Sequence, residues 1–131
     1  MPNKWYVRPV LFVSDVEEAL GFYTDLLGFE EKWRYEQNDE PSVAQVDRDG
    51  CEIILSSQRP KQIGTGLIYI ELRPETLATV REEFEGAGLE TEDGWWGSPV
   101  TIVRDPDGNE LYFPREDDED VEDLDEEDEE F

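Results

Sequence analysis

The chain has 131 residues with 36 acidic and 11 basic side chains, no histidine and one cysteine, and this length fits a single domain with its own core. A chain this acidic is not expected to bind nucleic acid or an anionic membrane, and without histidine it lacks the most common general base and transition-metal ligand. Cys51 cannot form an internal disulfide, no apolar run has transmembrane length and no signal peptide is recognisable, so we expect a cytoplasmic protein.

The first half of the chain predicts one strand, one helix and three more strands. Residues 6–13 alternate in polarity as strands do. Ser14 and Glu17 form a capping box, and Gly28 is typical of a helix end. Between them lies an apolar stripe at helical spacing, made of Val16, Leu20, Tyr23 and Leu27. Strands are then expected at residues 29–36, 42–48 and 51–57, before a connector at 58–66.

The second half repeats this order. A strand is expected at 67–72, and Pro74 suits the first position of a helix. The apolar face of that helix consists of Leu77, Val80, Phe84 and Ala87. Further strands are expected at 89–93, 98–104 and 109–114. The sequence therefore predicts an α+β domain over residues 1–115 with two β-α-β-β-β modules, at about 5–57 and 66–114.

A short motif supports this duplication. Asp47–Leu55 and, 58 residues later, Asp105–Phe113 both read D-x-D-G-x-E before three apolar or aromatic residues. Short carboxylates bond nearby backbone and glycine adopts positive φ, so the motif predicts a turn before a strand. The turn geometry explains the paired aspartates better than a calcium loop does, because the later glutamate of such a loop is missing.

Strand parity separates two sets of side chains. The apolar set is expected beneath the helices: Pro9, Leu11, Val13, Ile53, Leu55, Ile68, Ile70, Leu72, Leu111 and Phe113. The opposite set is mixed: Arg8, Val10, Phe12, Glu52, Ile54, Leu67, Tyr69, Glu71, Glu110 and Tyr112. A plain solvent-facing surface would be polar throughout, so the mixed set predicts a cleft or an interface.

Three segments together resemble the vicinal oxygen chelate superfamily, the group of glyoxalases, bleomycin-resistance proteins and dioxygenases. They are Arg8–Ala19, Gly21–Phe29 and Arg104–Leu111, the last with its D-P-D-G-N turn. The resemblance covers residues 5–115 and implies paired modules whose curved mixed sheet forms a cleft. In members this small a second chain completes the cleft, which implies a homodimer. Whether the modules pair within one chain or swap between two is left open.

Metal-dependent members of the superfamily carry His, Gln or Glu ligands at four positions. The resemblance places Arg8, Ile54, Leu67 and Tyr112 there. Arginine has no free lone pair and the two aliphatic side chains have no donor atom. A single tyrosine with a pKa of about 10 does not hold a hard divalent ion. We therefore expect no metal ligands, no cofactor and no catalytic residues of the family's type.

The chain is most similar to the bleomycin-resistance type of binding protein, through Pro9–Leu11, Trp96-Gly97 and the R-D-P-x-G-N turn. This implies sequestration of a small aromatic, cationic organic ligand, as in antibiotic resistance. Aromatic faces attract cations and carboxylates neutralise them. The ligand-binding residues expected are Arg8, Phe12, Trp33, Tyr35, Glu52, Ile54, Leu67, Tyr69, Glu71, Trp95, Trp96, Glu110 and Tyr112.

Other interpretations remain open at this point. Trp95 and Trp96 fit a dimer interface as well as a cleft. Arg8 either holds an anionic group of the ligand or pairs with a carboxylate such as Glu71 or Glu110. The chain could also be an enzyme with a relocated site, in which three carboxylates do acid–base work or bind a metal: Glu52, Glu71 and Glu110.

Residues 116–131 differ from the rest of the chain. They contain 13 acidic residues and no basic one, which predicts a disordered acidic tail. The tail either keeps the protein soluble or docks a basic partner. Deleting residues 116–131 would distinguish these functions, because binding in the cleft should survive the deletion and docking through the tail should not.

Overall fold

Strands and helices follow one another in the order β-α-β-β-β-β-α-β-β-β in the computed structural model, which describes residues 5–115. The first half contains β1 (Val10–Phe12), α1 (Val16–Gly21), β2 (Glu30–Gln37), β3 (Glu40–Arg48) and β4 (Cys51–Ser56). The second contains β5 (Leu67–Tyr69), α2 (Pro74–Gly86), β6 (Glu92–Trp95), β7 (Pro99–Arg104) and β8 (Glu110–Pro114). The predicted disordered tail, residues 116–131, lies outside the described residues.

The strands form two four-stranded sheets, which we call sheets A and B. Sheet A has the order β1-β4-β3-β2, with β1 parallel to β4 and the other neighbours antiparallel. Sheet B has the same order in the second half, β5-β8-β7-β6. This arrangement confirms the predicted α+β fold with two β-α-β-β-β modules. No helix among residues 5–115 is long and apolar enough to cross a membrane.

The chain divides into two compact units. Among the described residues, the first contains residues 5–66 together with Asp105–Glu110, and the second contains Leu67–Arg104 together with residues 111–115. The turn before β8 thus belongs to the first unit although it follows β7 in sequence. We refer to these as unit 1 and unit 2 and describe each separately.

The core follows the predicted strand parity in part, because Pro9, Ile68, Ile70 and Leu72 of the same set are only half-buried. In unit 1, Leu11, Ile53 and Leu55 are buried together with the apolar stripe of α1. In unit 2, the buried residues include Leu77, Val80 and Phe84 of α2 and Leu111 and Phe113 of β8. The rings of Phe84 and Phe113 pack edge to face with their centroids 5.5 Å apart. The opposite face of each sheet is left for the mixed set of side chains.

Four predicted element ends were wrong, and one of them is the strand expected at 89–93, which forms as Glu92–Trp95. The first strand begins at Val10 instead of residue 6, because Pro9 has no N–H for the ladder and the preceding side chains are exposed. The N-cap of α1 is Asp15, which accepts from the N–H of Glu18, and not Ser14. The strand expected at 67–72 ends at Tyr69, although Ile70 still donates to the carbonyl of Tyr112. Each error concerns the end of an element, where local patterns carry the least information.

The predicted first helix is confirmed in its buried stripe but changes form along its length. After α1, residues Phe22–Leu26 are π-helical, and Tyr23 and Leu27 are still fully buried. Gly28 has a φ of 75°, and the N–H of Phe29 bonds back to the carbonyl of Tyr23. This closes the helix as the glycine predicted.

The two copies of the repeated motif form different turns. The first is a tight hairpin between β3 and β4, with positive φ at Asp49 and Gly50. In the second, Asp105 is buried and its carboxylate accepts hydrogen bonds from the backbone N–H groups of Asp107 and Asn109. It also accepts from the Asn109 side chain at 2.9 Å and from the hydroxyl of Tyr23 at 3.0 Å. The second copy therefore contains a buried polar network.

Asn109 extends this network to two other parts of unit 1. Its side-chain N–H donates to the carbonyl of Phe12, and its side-chain oxygen accepts from the N–H of Gly66. The connector approaches the same turn closely: a Cβ at Gly64 would lie 2.2 Å from the carbonyl oxygen of Asp107. The network thus fixes the end of β1, the connector at Gly66 and the helical segment around one buried carboxylate.

Replacing Tyr23 with phenylalanine is expected to flatten the loss of stability at alkaline pH. Burial, and then the charge and hydrogen bond of Asp105, raise the pKa of Tyr23 above its ordinary value. The folded chain therefore keeps the phenolic proton where the unfolded chain, with a tyrosine pKa of about 10, has lost it. The free energy of unfolding is unaffected below that pH and falls above it. Urea titrations from about pH 8 to 11 test this; parallel curves for both proteins would contradict it.

Candidate functional site

The uncovered face of sheet A presents rows of side chains across the four strands. The pairing register puts Val10 beside Ile54, Ile54 beside Gln45 and Gln45 beside Trp33. A parallel row consists of Phe12, Ser56, Val43 and Tyr35. The predicted site residues of unit 1 on strands β1, β2 and β4 therefore share one face, as the strand parity required.

Gln45 is the centre of the polar groups on this face. It is only 5% exposed, and its side-chain oxygen accepts from Nη1 of Arg8 at 2.7 Å and from Nε1 of Trp33 at 3.0 Å. Its Nε2 donates to Asp47 at 2.8 Å and to Glu52 at 3.3 Å. One amide therefore connects two donor side chains to two carboxylates.

The segment before β1 completes this arrangement. The hydroxyl of Tyr6 donates to the same Glu52 oxygen, and the guanidinium carbon of Arg8 lies 5.4 Å from the centroid of the Tyr6 ring. We call these six residues the Gln45 network: Tyr6, Arg8, Trp33, Gln45, Asp47 and Glu52. The Arg8 guanidinium donates to an uncharged amide, whereas a structural ion pair would need a carboxylate partner.

Unit 2 presents an aromatic cluster, which we define as Tyr69, Trp96 and Tyr112. The Trp96 ring lies 5.5 Å from that of Tyr69 and 5.3 Å from that of Tyr112, centroid to centroid. Trp96 is 51% exposed and Tyr69 is 37% exposed. The turn between β6 and β7 positions Trp96. The backbone N–H of Trp96 donates to the carbonyl of Ser98, and Gly97 between them has a φ of 77°. Parts of the Trp96 and Tyr69 side chains thus remain accessible to a planar partner.

A carboxylate adjoins this cluster. Burial, then the charge of Glu71 and a hydrogen bond to it, raise the pKa of Tyr69. The exposed Leu67 and the half-buried Tyr112 belong to the same unit. Trp95 is half-buried on β6, where it pairs with Pro99. Unit 2 therefore combines exposed aromatic faces with a negative charge.

The four positions that the resemblance assigns to the family's metal ligands do not form a ligand set. In unit 1 the guanidinium of Arg8 is bonded to Gln45, and Ile54 is aliphatic. In unit 2 Leu67 is aliphatic, and Tyr112 has its ring against Trp96. Across residues 5–115 no group of three or more His, Cys, Asp or Glu side chains is placed to hold a metal ion. The residues present do not fit the family's metal.

The predicted carboxylates have separate surroundings. Glu52 belongs to the Gln45 network of unit 1, and Glu71 lies beside Tyr69 in unit 2. Glu110 belongs to unit 1, is half-buried, and donates its backbone N–H to the carbonyl of Gly66. Cys51 is half-buried, and burial followed by the charge of Asp47 raises the pKa of its thiol, which disfavours the reactive thiolate.

Three members of the Gln45 network were missing from the predicted site: Tyr6, Gln45 and Asp47. The sequence contains only a weak signal for Gln45, because a polar residue between Ala44 and Val46 is ordinary alternation along a strand. Gln45 also shares its parity with Asp47. The partners of a buried amide lie on other strands, so the sequence alone did not identify them.

A separate depression of about 320 Å³ lies in unit 1, outside the predicted site. It is lined by Ser14–Glu17, by Asp39–Pro41 of the hairpin between β2 and β3, and by Ser57. None of the predicted ligand-binding residues lines it. The exposed aromatic faces, and not this acidic depression, therefore define the candidate site.

Comparison with protein families gives one match. The model described as the Glyoxalase/Bleomycin resistance protein/Dioxygenase superfamily matches residues 5–113. No curated protein sequence matches the chain. The match includes both sheets and both copies of the repeated motif.

Several solved structures share the fold. TnmS3, an antibiotic binding protein from Streptomyces sp. CB03234, has a TM-score of 0.68 at 19% identity, covering 88% of this chain and 98% of that one. The bleomycin-binding protein of Streptomyces verticillus, solved with copper(II)-bleomycin, has a TM-score of 0.66 at 23% identity, with coverage of 89% and 100%. Lactoylglutathione lyase from Agrobacterium tumefaciens has a TM-score of 0.63 at 17% identity, with coverage of 85% and 93%. These identities establish a likeness of fold, and the fold is shared by binding proteins and an enzyme.

Proposed function

The chain belongs to the Glyoxalase/Bleomycin resistance protein/Dioxygenase superfamily, and we propose that its function is ligand binding and not catalysis. It is a metal-independent binding protein that sequesters a small aromatic, cationic molecule without making or breaking a bond. The observation that carries this proposal is the aromatic cluster of unit 2, with Trp96 between two tyrosine rings and Glu71 beside Tyr69.

The chemistry of the cluster matches such a ligand. A planar group can stack on an exposed indole face, and a cation is attracted to the negative face of an aromatic ring. The carboxylate of Glu71 supplies the neutralising charge. Two proteins of similar fold are described as binding an antibiotic or bleomycin, which supports binding as the activity. We propose the other predicted residues as ligand-binding residues as well, including those on the uncovered face of sheet A.

We also propose a homodimer located in the cytoplasm. Large apolar side chains are exposed in both units: Trp5, Tyr6, Val7, Val10, Trp33, Tyr35, Leu67, Tyr69 and Trp96. Exposed apolar surface of this kind marks interfaces and ligand sites. The cytoplasmic location rests on the single cysteine, which suits a reducing compartment.

A thermal unfolding panel followed by circular dichroism tests the proposal. The probes are metal-free bleomycin and ethidium as cationic aromatic compounds, naphthalene-2-sulfonate as an anionic control, and Zn²⁺, Mn²⁺ and Mg²⁺ with and without chelator. The buffer contains about 0.5 M salt, which screens non-specific attraction to the acidic chain. Light scattering of the same sample should give twice the 15.2 kDa of one chain if the protein is a homodimer.

A cationic aromatic probe at about 100 times its Kd should stabilise the folded chain by about 2.7 kcal/mol, a rise in Tm of roughly 10 °C. The anionic control and the metals should have no effect. Stabilisation by a metal that chelator reverses, without a response to either cationic probe, would overturn the proposal. That outcome would favour an enzyme with a carboxylate metal site.

A further inference from the structure

We propose that Gln45 is a positioning residue for ligand binding, which fixes the ring of Trp33 and the guanidinium of Arg8 on the uncovered face of sheet A. This inference rests on the proposed function, since it assigns a role within the binding surface. It also makes a claim about the ligand-free protein, which can be tested separately. Gln45 is only 5% exposed and lies on the face of β3 opposite to the buried side chains of Ala44 and Val46, so its amide needs hydrogen-bond partners on its own face.

The orientation of the Gln45 amide is determined by its partners. A glutamine side chain has two N–H donors and two acceptor lone pairs, and all four are used here. Arginine and tryptophan side chains can only donate, and ionised carboxylates can only accept. A flipped amide would put its N–H groups against Arg8 and Trp33 and its oxygen against Asp47 and Glu52. The network therefore has one favourable arrangement.

The same contacts orient Trp33. Its indole N–H points at the buried amide oxygen at 3.0 Å, while 41% of the residue is exposed. The donor edge is thus directed inward and part of the ring is left accessible. An aromatic ligand can stack on a ring held in this way with less loss of side-chain freedom on binding.

Arg8 is held by a closed circuit of four residues. Its guanidinium donates to Gln45 and lies over the Tyr6 ring. The Tyr6 hydroxyl donates to Glu52, and Glu52 also accepts from Gln45. Tyr6 and Arg8 precede β1 and have no strand conformation, so these side-chain contacts attach their segment to sheet A. Gln45 takes part in two of the four links.

Gln45 also lies between the negative and the positive groups of this face. Asp47 and Glu52 are directly opposite each other in the pairing of β3 with β4, where like charges are unfavourable. The amide N–H groups bridge both carboxylates, and the amide oxygen faces the cationic side. Gln45 thus separates the donor groups on the Arg8 side from the acceptor groups of Asp47 and Glu52. An acceptor group of the ligand would bind on the first side and a donor group on the second.

The first arm of the test uses the ligand-free protein. In a ¹H–¹⁵N spectrum the indole resonance of Trp33 is identified by its loss in Trp33→Phe. Gln45→Leu is expected to move this resonance upfield, because the N–H loses its acceptor, while the other indole resonances stay in place. The matched control is Gln37→Leu, which alters an exposed glutamine of the neighbouring strand and should move none of them. An unchanged Trp33 resonance in Gln45→Leu would overturn the positioning role.

The second arm measures the affinity for ethidium. Gln45→Leu should bind about tenfold more weakly than the unaltered chain, and Gln37→Leu should bind equally well. If the unaltered chain binds ethidium and Gln45→Leu binds it with equal affinity, the inference fails while the proposed function stands. If the unaltered chain binds neither ethidium nor bleomycin, the proposed function fails and the role of Gln45 in binding fails with it.

Gln45→Glu provides a pH-dependent measurement that would not change with pH if Gln45 had a purely structural role. The introduced carboxylate would face Asp47 and Glu52, with Arg8 on its other side and Tyr6 bonded to Glu52. Only the protonated form of this carboxyl group can donate a hydrogen bond to a carboxylate, as the amide does. The Trp33 indole resonance of Gln45→Glu should therefore change position between about pH 8 and about pH 5. A Trp33 resonance that stays constant over this range would contradict the inference.

Discussion

Replacing Asp105 with alanine is expected to lower the free energy of unfolding by about 3–5 kcal/mol. Asp105 is 4% exposed, and its carboxylate accepts four hydrogen bonds, from two backbone N–H groups, the Asn109 side chain and the Tyr23 hydroxyl. Tyr23 and Asn109 are themselves fully buried. Removing the acceptor leaves these donors inside the protein without water to replace it, which costs more than the bonds contributed.

The repeated motif supplies a matched control at the equivalent position of its first copy. Asp47→Ala removes a half-buried carboxylate that accepts from Gln45 and lies opposite Glu52. Because the substitution also removes a like-charge pair, its effect on stability should stay within about 1 kcal/mol. Asp105→Asn should fall between the two, since an amide offers one oxygen where the carboxylate offers two.

Urea denaturation followed by circular dichroism measures these differences. The expected order of stability is the unaltered chain and Asp47→Ala, then Asp105→Asn, then Asp105→Ala. Equal midpoints for Asp47→Ala and Asp105→Ala would show that the second turn tolerates the loss of its carboxylate as well as the first does. The buried network would then not stabilise unit 1.

The regular part of the fold was predictable because it depends on periodicity. The alternation of Leu11, Ile53 and Leu55 against Val10 and Ile54 assigned the two faces of sheet A, and the structure buries the first three. The spacing of Leu77, Val80 and Phe84 gave α2 and its buried face. Such patterns survive in a single sequence because one buried face imposes them on the whole element.

The polar contacts were not predictable in the same way. Tyr23 and Asp105 are 82 positions apart, and Arg8 and Gln45 are 37 apart. No local pattern relates such residues, so Asp105 was predicted as turn chemistry alone and Tyr23 as part of an apolar stripe. The aromatic cluster was partly predictable, because parity grouped Tyr69 with Tyr112, whereas Trp96 lies in a turn where parity gives no direction.

The proposed binding activity depends most directly on Trp96, and Trp96→Leu is expected to weaken the binding of ethidium by roughly 10- to 30-fold, or about 1.4–2 kcal/mol. Trp96 contacts both other members of the aromatic cluster, with ring centroids 5.5 Å from Tyr69 and 5.3 Å from Tyr112. Without it Tyr69 and Tyr112 lose their common neighbour. Leucine keeps apolar surface at the position but offers no aromatic face to a cation.

Trp5→Leu is the matched control, because Trp5 is also an exposed tryptophan, at 90% exposure, and lies outside the aromatic cluster. Fluorescence titration with ethidium in about 0.5 M salt compares the two variants with the unaltered chain. Since Trp96 is half exposed, its replacement should change the stability by no more than about 1 kcal/mol, so weaker binding would not reflect unfolding. If both variants bind as the unaltered chain does, an ethidium site exists elsewhere and the aromatic cluster is a surface that another part of the protein or a second copy covers. If both lose affinity equally, the probe responds to exposed indoles in general and the cluster has no special role.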